Sequence, residues 1–307
     1  MHLAEGMLPM SQAVGWSAVT LPVLIWSMRG EQLERKDNTS SSTIMASVTS
    51  LLFAATLLPL PVPIVGATSH ICLTPLFALI VGIRRIIWPT FFVLLLQAVF
   101  FAHGGLTTLG INTLSLGLFG PIVTIGIWKA LLRLGSNSTI GLGIACGIGS
   151  LSVYILDALI LAVALSDVVQ PKTTFFSVLL GFAPVQVPLA ILESVVSVKI
   201  IQILLNRRVD LLPPTLSKLQ KSSIPVGAVM LLLFSSNLSG CDYEGIDGTV
   251  FGATAEIAGR PPTDSLIDLS QGELGLAMSI IILFGLGFVA GRSWERLLTG
   301  DRNALPR

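Results

Sequence analysis

Apolar residues in this chain run in long blocks separated by short polar breaks. Nine blocks stand out, centred near Val14–Trp26, Thr43–Leu58, Ile71–Ile83, Trp88–Phe101, Leu114–Leu132, Ile140–Leu165, Phe175–Ile203, Ile224–Phe234 and Leu274–Ala290. A bilayer-spanning helix needs ~20 mostly apolar residues. The pattern therefore predicts an all-α polytopic membrane protein. Two blocks are short, and Pro75 interrupts the third near its start. Short or broken segments often line a site rather than face lipid. Arg29–Ser42 reads as a polar, Ser-rich loop, and Cys241–Glu273 as an acidic one. Asn206–Ser223, with Pro213-Pro214 and basic ends, reads as a linker. The expected organisation is a seven-helix body over residues 1–205, a linker over 206–223 and a two-span extension over 224–307.

Composition agrees. Of 307 residues, 52% are hydrophobic and 11% charged, against about 25% charged in a soluble domain. This excludes disorder, nucleic-acid binding and an ordinary cytosolic enzyme. Cytoplasmic loops should carry the excess of Lys and Arg. With the amino terminus outside, 16 of the 18 Lys and Arg fall on the cytoplasmic side, and only Lys172 and Arg260 fall outside. The charges thus predict an outer amino terminus and a cytoplasmic carboxyl terminus. Cys72, Cys146 and Cys241 have no spacing that suggests a disulfide framework or a cysteine zinc site.

The first residues, Met1-His2-Leu3-Ala4-Glu5-Gly6, lack the basic region that opens a signal peptide, and no Lys or Arg precedes Arg29. The terminus is expected to be retained, with Met1 in place because His2 is large. The Met1 amine, the deprotonated amide nitrogen of His2 and its imidazole can then chelate one metal in fused rings. Three nitrogens in a plane leave one corner of a square open, and square-planar nitrogen sites suit Ni(II) or Cu(II). An ordinary exposed residue is the default reading of a terminal histidine. The weighting changes because the chain holds three histidines, His2, His70 and His103, and the span map puts all three on the outer side. Ionisable groups at a membrane edge are functional candidates, and imidazole is the commonest metal ligand. Taken singly, His70 also reads as an interfacial histidine and His103 as a loop histidine.

These residues resemble the CbiM/NikM family, the substrate-binding membrane components of energy-coupling-factor (ECF) transporters for cobalt or nickel. The resemblance rests on the opening Met1-His2-Leu3-Ala4-Glu5-Gly6-Met7-Leu8-Pro9 and on Gly66-Ala67-Thr68-Ser69-His70. It rests further on Gly104-Gly105-Leu106-Thr107 with Gly110-Ile111-Asn112, and on Pro188-Leu189-Ala190-Ile191-Leu192-Glu193. The tail is similar to the small two-span CbiN/NikN component, through Tyr243-Glu244-Gly245-Ile246-Asp247-Gly248. The resemblance implies a fusion of the two components. It also implies a metal held by the Met1 amine, the His2 amide nitrogen, the His2 imidazole and His70. His103 stands where the family often has an acidic residue, so it either supports a ligand or is unrelated. Asn112 and Glu193 are candidates for orienting ligands or helices, since outer partners fix imidazole tautomers.

No Gly-x-x-x-x-Gly-Lys-[Ser/Thr] phosphate loop occurs. Gly141, Gly143, Gly147 and Gly149 lie within an apolar span, where close helix packing explains them better than nucleotide binding. The chain is expected to be no enzyme and to carry no prosthetic group. The resemblance implies transport of Co2+ or Ni2+ across a bacterial inner membrane. It implies as partners a CbiQ/NikQ-like coupling protein and CbiO/NikO-like ATPases, besides the lipid bilayer. The two metals are not distinguished. A secondary transporter of an organic solute is the alternative; Asp157 and Glu193 are its candidate deep acids, but no internal repeat accompanies them.

Overall fold

The computed structural model describes residues 3–37, 41–57, 60–62, 67–101, 103–220, 244–245, 248–263 and 285. Met1 and His2 lie outside the described residues, as do the predicted spans Ile224–Phe234 and Leu274–Ala290 apart from Gly285.

The described residues are predominantly helical. Helices α1 (Met10–Asp37) and α2 (Ser41–Leu57) lead into a hairpin of β1 (Leu60–Val62) and β2 (Ala67–Ser69). Then come α3 (Thr74–Val81), α4 (Ile83–Phe100), α5 (Leu109–Leu114), a π-helical turn over Ser115–Phe119, α6 (Gly120–Arg133), α7 (Thr139–Ala164) and α8 (Pro171–Arg207). A 3-10 turn over Val209–Leu211 and α9 (Pro214–Ser217) close the body. The tail contributes β3 (Glu244–Gly245), a π-helical turn over Gly248–Gly252 and α10 (Ala253–Ile257).

Among the described residues, four helical stretches are long and apolar enough to cross a membrane: Ile83–Phe100, Leu109–Arg133, Thr139–Ala164 and Pro171–Arg207. Thr43–Leu57 is a shorter apolar helix. The protein is a multi-pass membrane protein. The third predicted span is shorter than expected. Pro75 does not interrupt it but lies in the first turn of α3, where a missing N–H costs nothing. Gly82, at φ 90°, then ends α3 after eight residues and starts α4. Thr74 to Ala78, the opening residues of α3, are all buried. A half-length helix is tolerated at membrane depth where protein covers it.

The predicted polar loop after α1 is mostly helix. Gln32, Leu33, Glu34, Arg35 and Lys36 are strong helix formers, and Glu31 is tied to α4 by Arg85, Nε to Oε2 2.8 Å. Arg85 also donates to the Ser41 hydroxyl at 2.6 Å, joining the start of α2. The described part of the predicted linker is equally ordered. Leu212, Leu216 and Leu219 are buried, and Gln220 pairs with the Asn137–Thr139 backbone.

Helix α7 packs on α8 through its glycines. A Cβ on Gly143 would lie 3.2 Å from the Ser194 carbonyl oxygen, and one on Gly147 would lie 3.1 Å from that of Ala190. These glycines therefore serve close helix contact, as small residues do in membranes. At the end of the body that carries Leu3, one apolar core joins the amino-terminal segment (Leu3, Met7) to α8 (Phe182) and the tail (Phe251).

Candidate metal site

Two segments far apart in sequence hold the amino-terminal strap. The N–H of Leu3 donates to Asn112 Oδ1 at 3.0 Å, and Asn112 Nδ2 donates back to the Leu3 carbonyl at 3.1 Å. Thr108 Oγ1 donates to the same carbonyl at 2.5 Å. Two residues on, the Glu5 carboxylate accepts from the N–H of Leu106 at 2.7 Å, from the N–H of Thr107 at 3.3 Å and from the Thr107 hydroxyl. A carboxylate buried to this degree, 3% exposed, needs such partners. The approach requires glycine at position 105, where a Cβ would stand 2.7 Å from the Glu5 nitrogen.

His70 leaves the end of β2 and is buried. Its surroundings are fixed from α7 and α8. Glu193 Oε1 accepts from the N–H of Leu73 at 2.9 Å, and Oε2 accepts from Cys72 at 3.3 Å and from the Ser150 hydroxyl at 2.8 Å. Gln186 donates to the Ser69 hydroxyl at 3.1 Å. The turn these residues hold includes Leu73 at φ 57°, a left-handed conformation that an apolar residue adopts only under constraint. Burial, with His103 nearby, holds the His70 pKa well below the ordinary imidazole value. The neutral form, the one that ligates metals, is thereby favoured.

His103 lies against His70. The two Nε2 atoms are 3.4 Å apart and the ring centroids 5.3 Å. The His103 N–H donates to the Gln97 carbonyl, which anchors the loop to the end of α4. Among the described residues no group of three or more His, Cys, Asp or Glu side chains converges as a metal cluster.

The tail reaches both halves of the site. In β3, Glu244 and Gly245 pair parallel with Ala67 and Thr68 of β2, close before His70. Thr263 donates its N–H to the Glu5 carbonyl at 3.0 Å. Between them, Phe251 packs against Phe182 of α8, the rings tilted by 55° with centroids 4.5 Å apart.

Of the predicted site residues, Met1 and His2 lie outside the described residues. His70 and His103 come together, Asn112 grips Leu3, and Glu193 holds the turn after His70. Sequence reasoning did not single out Glu5, Thr107, Thr108, Ser150 or Gln186. Gln186 and Glu193 are seven residues apart and so share a helix face, a signal present in the sequence. Glu5 carries a second signal, a lone carboxylate in an otherwise uncharged opening. Nothing local marks Ser150.

Residues 2–211 match the family model CbiM, described as the cobalt uptake substrate-specific transmembrane region. The chain is 30% identical to the cobalt transport protein CbiM of Geobacter sulfurreducens, across 98% of this chain and 91% of that protein. It is 34% identical to the cobalt transport protein CbiM of Sorangium cellulosum, across 69% of this chain and 94% of that protein. Two crystal structures of transition metal transporters, one truncated, share the fold. Each has a TM-score of 0.58 and covers 67% of this chain, at 21% and 22% identity, with 99% and 93% of their own chains covered. The chain belongs to the CbiM family of cobalt uptake substrate-specific transmembrane regions.

Proposed function

We propose that this chain is the substrate-binding component of an ECF-type transporter that takes up Co2+ or Ni2+. The ion is bound from outside by the Met1 amine, the His2 amide nitrogen, the His2 imidazole and His70. The observation that carries this reading is the hold of Asn112 on both backbone groups of Leu3. It pins the backbone at Leu3, the residue that follows His2 in the sequence. The loop that pins Leu3 through Thr108 also brings His103 onto His70.

The neutral, buried His70 fits the fourth corner of the chelate. Asn112 and Glu193 act as positioning residues: Asn112 fixes the strap, and Glu193 fixes the turn that presents His70. The orientation is amino terminus outside, supported by the placement of 16 of the 18 Lys and Arg. The tail over 224–307 is a CbiN/NikN-like unit that gates loading, supported by its contacts with β2 and Glu5. The match to the Sorangium relative covers 69% of this chain, whereas that to the Geobacter relative covers 98%. This pattern suits a body with an added unit. With no phosphate loop in the sequence, ATP hydrolysis falls to partner ATPases acting through a coupling protein. Their movement reorients the body and releases the ion into the bacterial cytoplasm.

The test is Co(II) and Ni(II) binding by the purified full chain, beside a variant with one extra residue before Met1. The extension moves the amine and leaves every side chain in place. Loss of tight binding supports the amino-terminal chelate; unchanged binding overturns it.

A further inference from the structure

The pairing of His70 with His103 has a geometry that points beyond packing. Their Nε2 atoms are 3.4 Å apart, at the long end of hydrogen bonding. The same separation also suits a shared ion that would replace this contact. An ion about 2.1 Å from each nitrogen would subtend an N–metal–N angle of about 110°. On the axes of both rings it would place the centroids about 5.3 Å apart, and they are 5.3 Å apart. That angle is tetrahedral, unlike the right angles of a planar nitrogen chelate. His103 is half-buried while His70 is buried, so an arriving ion meets His103 first.

We propose that His70 and His103 form a capture site for a divalent ion, which both Nε2 atoms hold, with water completing the shell, before the amino-terminal nitrogens take it. His70 is common to both sites, so the ion keeps one protein ligand throughout the exchange. The capture site accepts Co(II) or Zn(II), which tolerate tetrahedral nitrogen coordination, more readily than Ni(II). The inference rests on the proposed function for the second, planar site, but its own ligands are side chains only.

That difference separates the tests. The extended chain with one residue before Met1 lacks the terminal chelate and keeps both imidazoles. Titrated with Co(II) in detergent micelles, it should bind weakly and develop the intense visible absorption of tetrahedral cobalt. Adding His103→Ala to the extended chain should abolish that absorption. His103→Glu, whose carboxylate has similar reach, should restore binding with shifted bands, a response that a merely structural role for His103 does not give. In the unextended chain, His103→Ala should slow Co(II) loading by about tenfold or more and leave the spectrum of the loaded site unchanged.

An extended chain that binds no Co(II), or binds it equally with and without His103, overturns the capture site. So does a His103→Ala chain that loads at the unsubstituted rate. If those results accompany loss of tight binding on extension, the functional reading stands and this inference alone falls. If extension leaves tight binding unchanged, the terminal chelate falls instead.

Discussion

The carboxylate of Glu193 on α8 spans the backbone of the turn after His70, with Oε1 2.9 Å from the Leu73 nitrogen and Oε2 3.3 Å from that of Cys72. A residue 120 positions away from Leu73 thereby sets where His70 stands. Glu193→Gln keeps the shape but puts an NH2 group where one oxygen accepts. At least one of its three donors loses its partner, at a cost of about 1–3 kcal/mol. We expect a lower Tm and a Co(II) affinity weaker by about tenfold, as for loss of a partner that orients a ligand. Unchanged values in thermal unfolding and metal titration would sink the positioning role.

Asn112 supplies one acceptor and one donor to Leu3, so its variants should grade. Asn112→Asp keeps the acceptor for the Leu3 N–H but loses the donor to the Leu3 carbonyl and to Thr108. Asn112→Ala loses all three bonds. Metal retained through purification should fall in the order wild type, Asp, Ala, with the Ala variant weaker by about 10–100-fold. Equal retention would show that the strap holds without Asn112.

The reach of the forces involved decides how much of this was legible in the sequence. The body helices were legible because lipid demands long apolar runs, and α7 at Thr139–Ala164 falls within a residue of its apolar block. The extension of α1 through Asp37 was not, because its anchor is Arg85, more than 50 residues away. The hairpin at Leu60–Ser69 was not legible either. Its strands are three residues long, too short for an alternating pattern to register. Asn112 and Glu193 could be singled out, but their partners are backbone groups, which carry no sequence signature.

Gly105→Ala tests the closeness of the strap directly. The added methyl would lie 2.7 Å from the Glu5 nitrogen and 2.8 Å from its Cα. Backbone cannot yield as a flexible side chain does, so the strap or the loop must shift, costing about 1–3 kcal/mol. We expect metal binding to drop sharply while the helical circular dichroism stays that of the folded body. Full binding by Gly105→Ala would mean that Glu5 need not sit against this loop.

The lowered pKa of His70 has a definite sign for stability. In the unfolded chain the imidazole titrates near 6.5, and in the folded protein well below it. Its stabilising contribution is therefore complete above ~6.5 and is lost as the pH falls from there through the folded value. The Tm of the metal-free protein should drop over that window, and His70→Gln should flatten the drop. A pH profile identical in both proteins would contradict the burial of a neutral His70.

The tail can be removed at two places with different expected results. A chain ending at Asn206 loses Leu212, Leu216 and Leu219, which are buried in the body, and loses the pairing of Gln220 with Asn137 and Thr139. Burying such side chains is worth about 1.5–3 kcal/mol each, so this truncation should destabilise the body itself. A chain ending at Gln220 keeps those contacts and loses only the residues beyond them, including β3 against β2 and Thr263 against Glu5. It also loses Phe251 from the core shared with Leu3 and Phe182, so it should be destabilised less than the chain ending at Asn206, which loses both sets of contacts, and should lose cobalt uptake in cells supplied with the partner subunits. Uptake that survives the cut at Gln220 would remove the gating role from the tail, and failure after the cut at Asn206 alone would assign the defect to the packed segment Leu212–Gln220 instead.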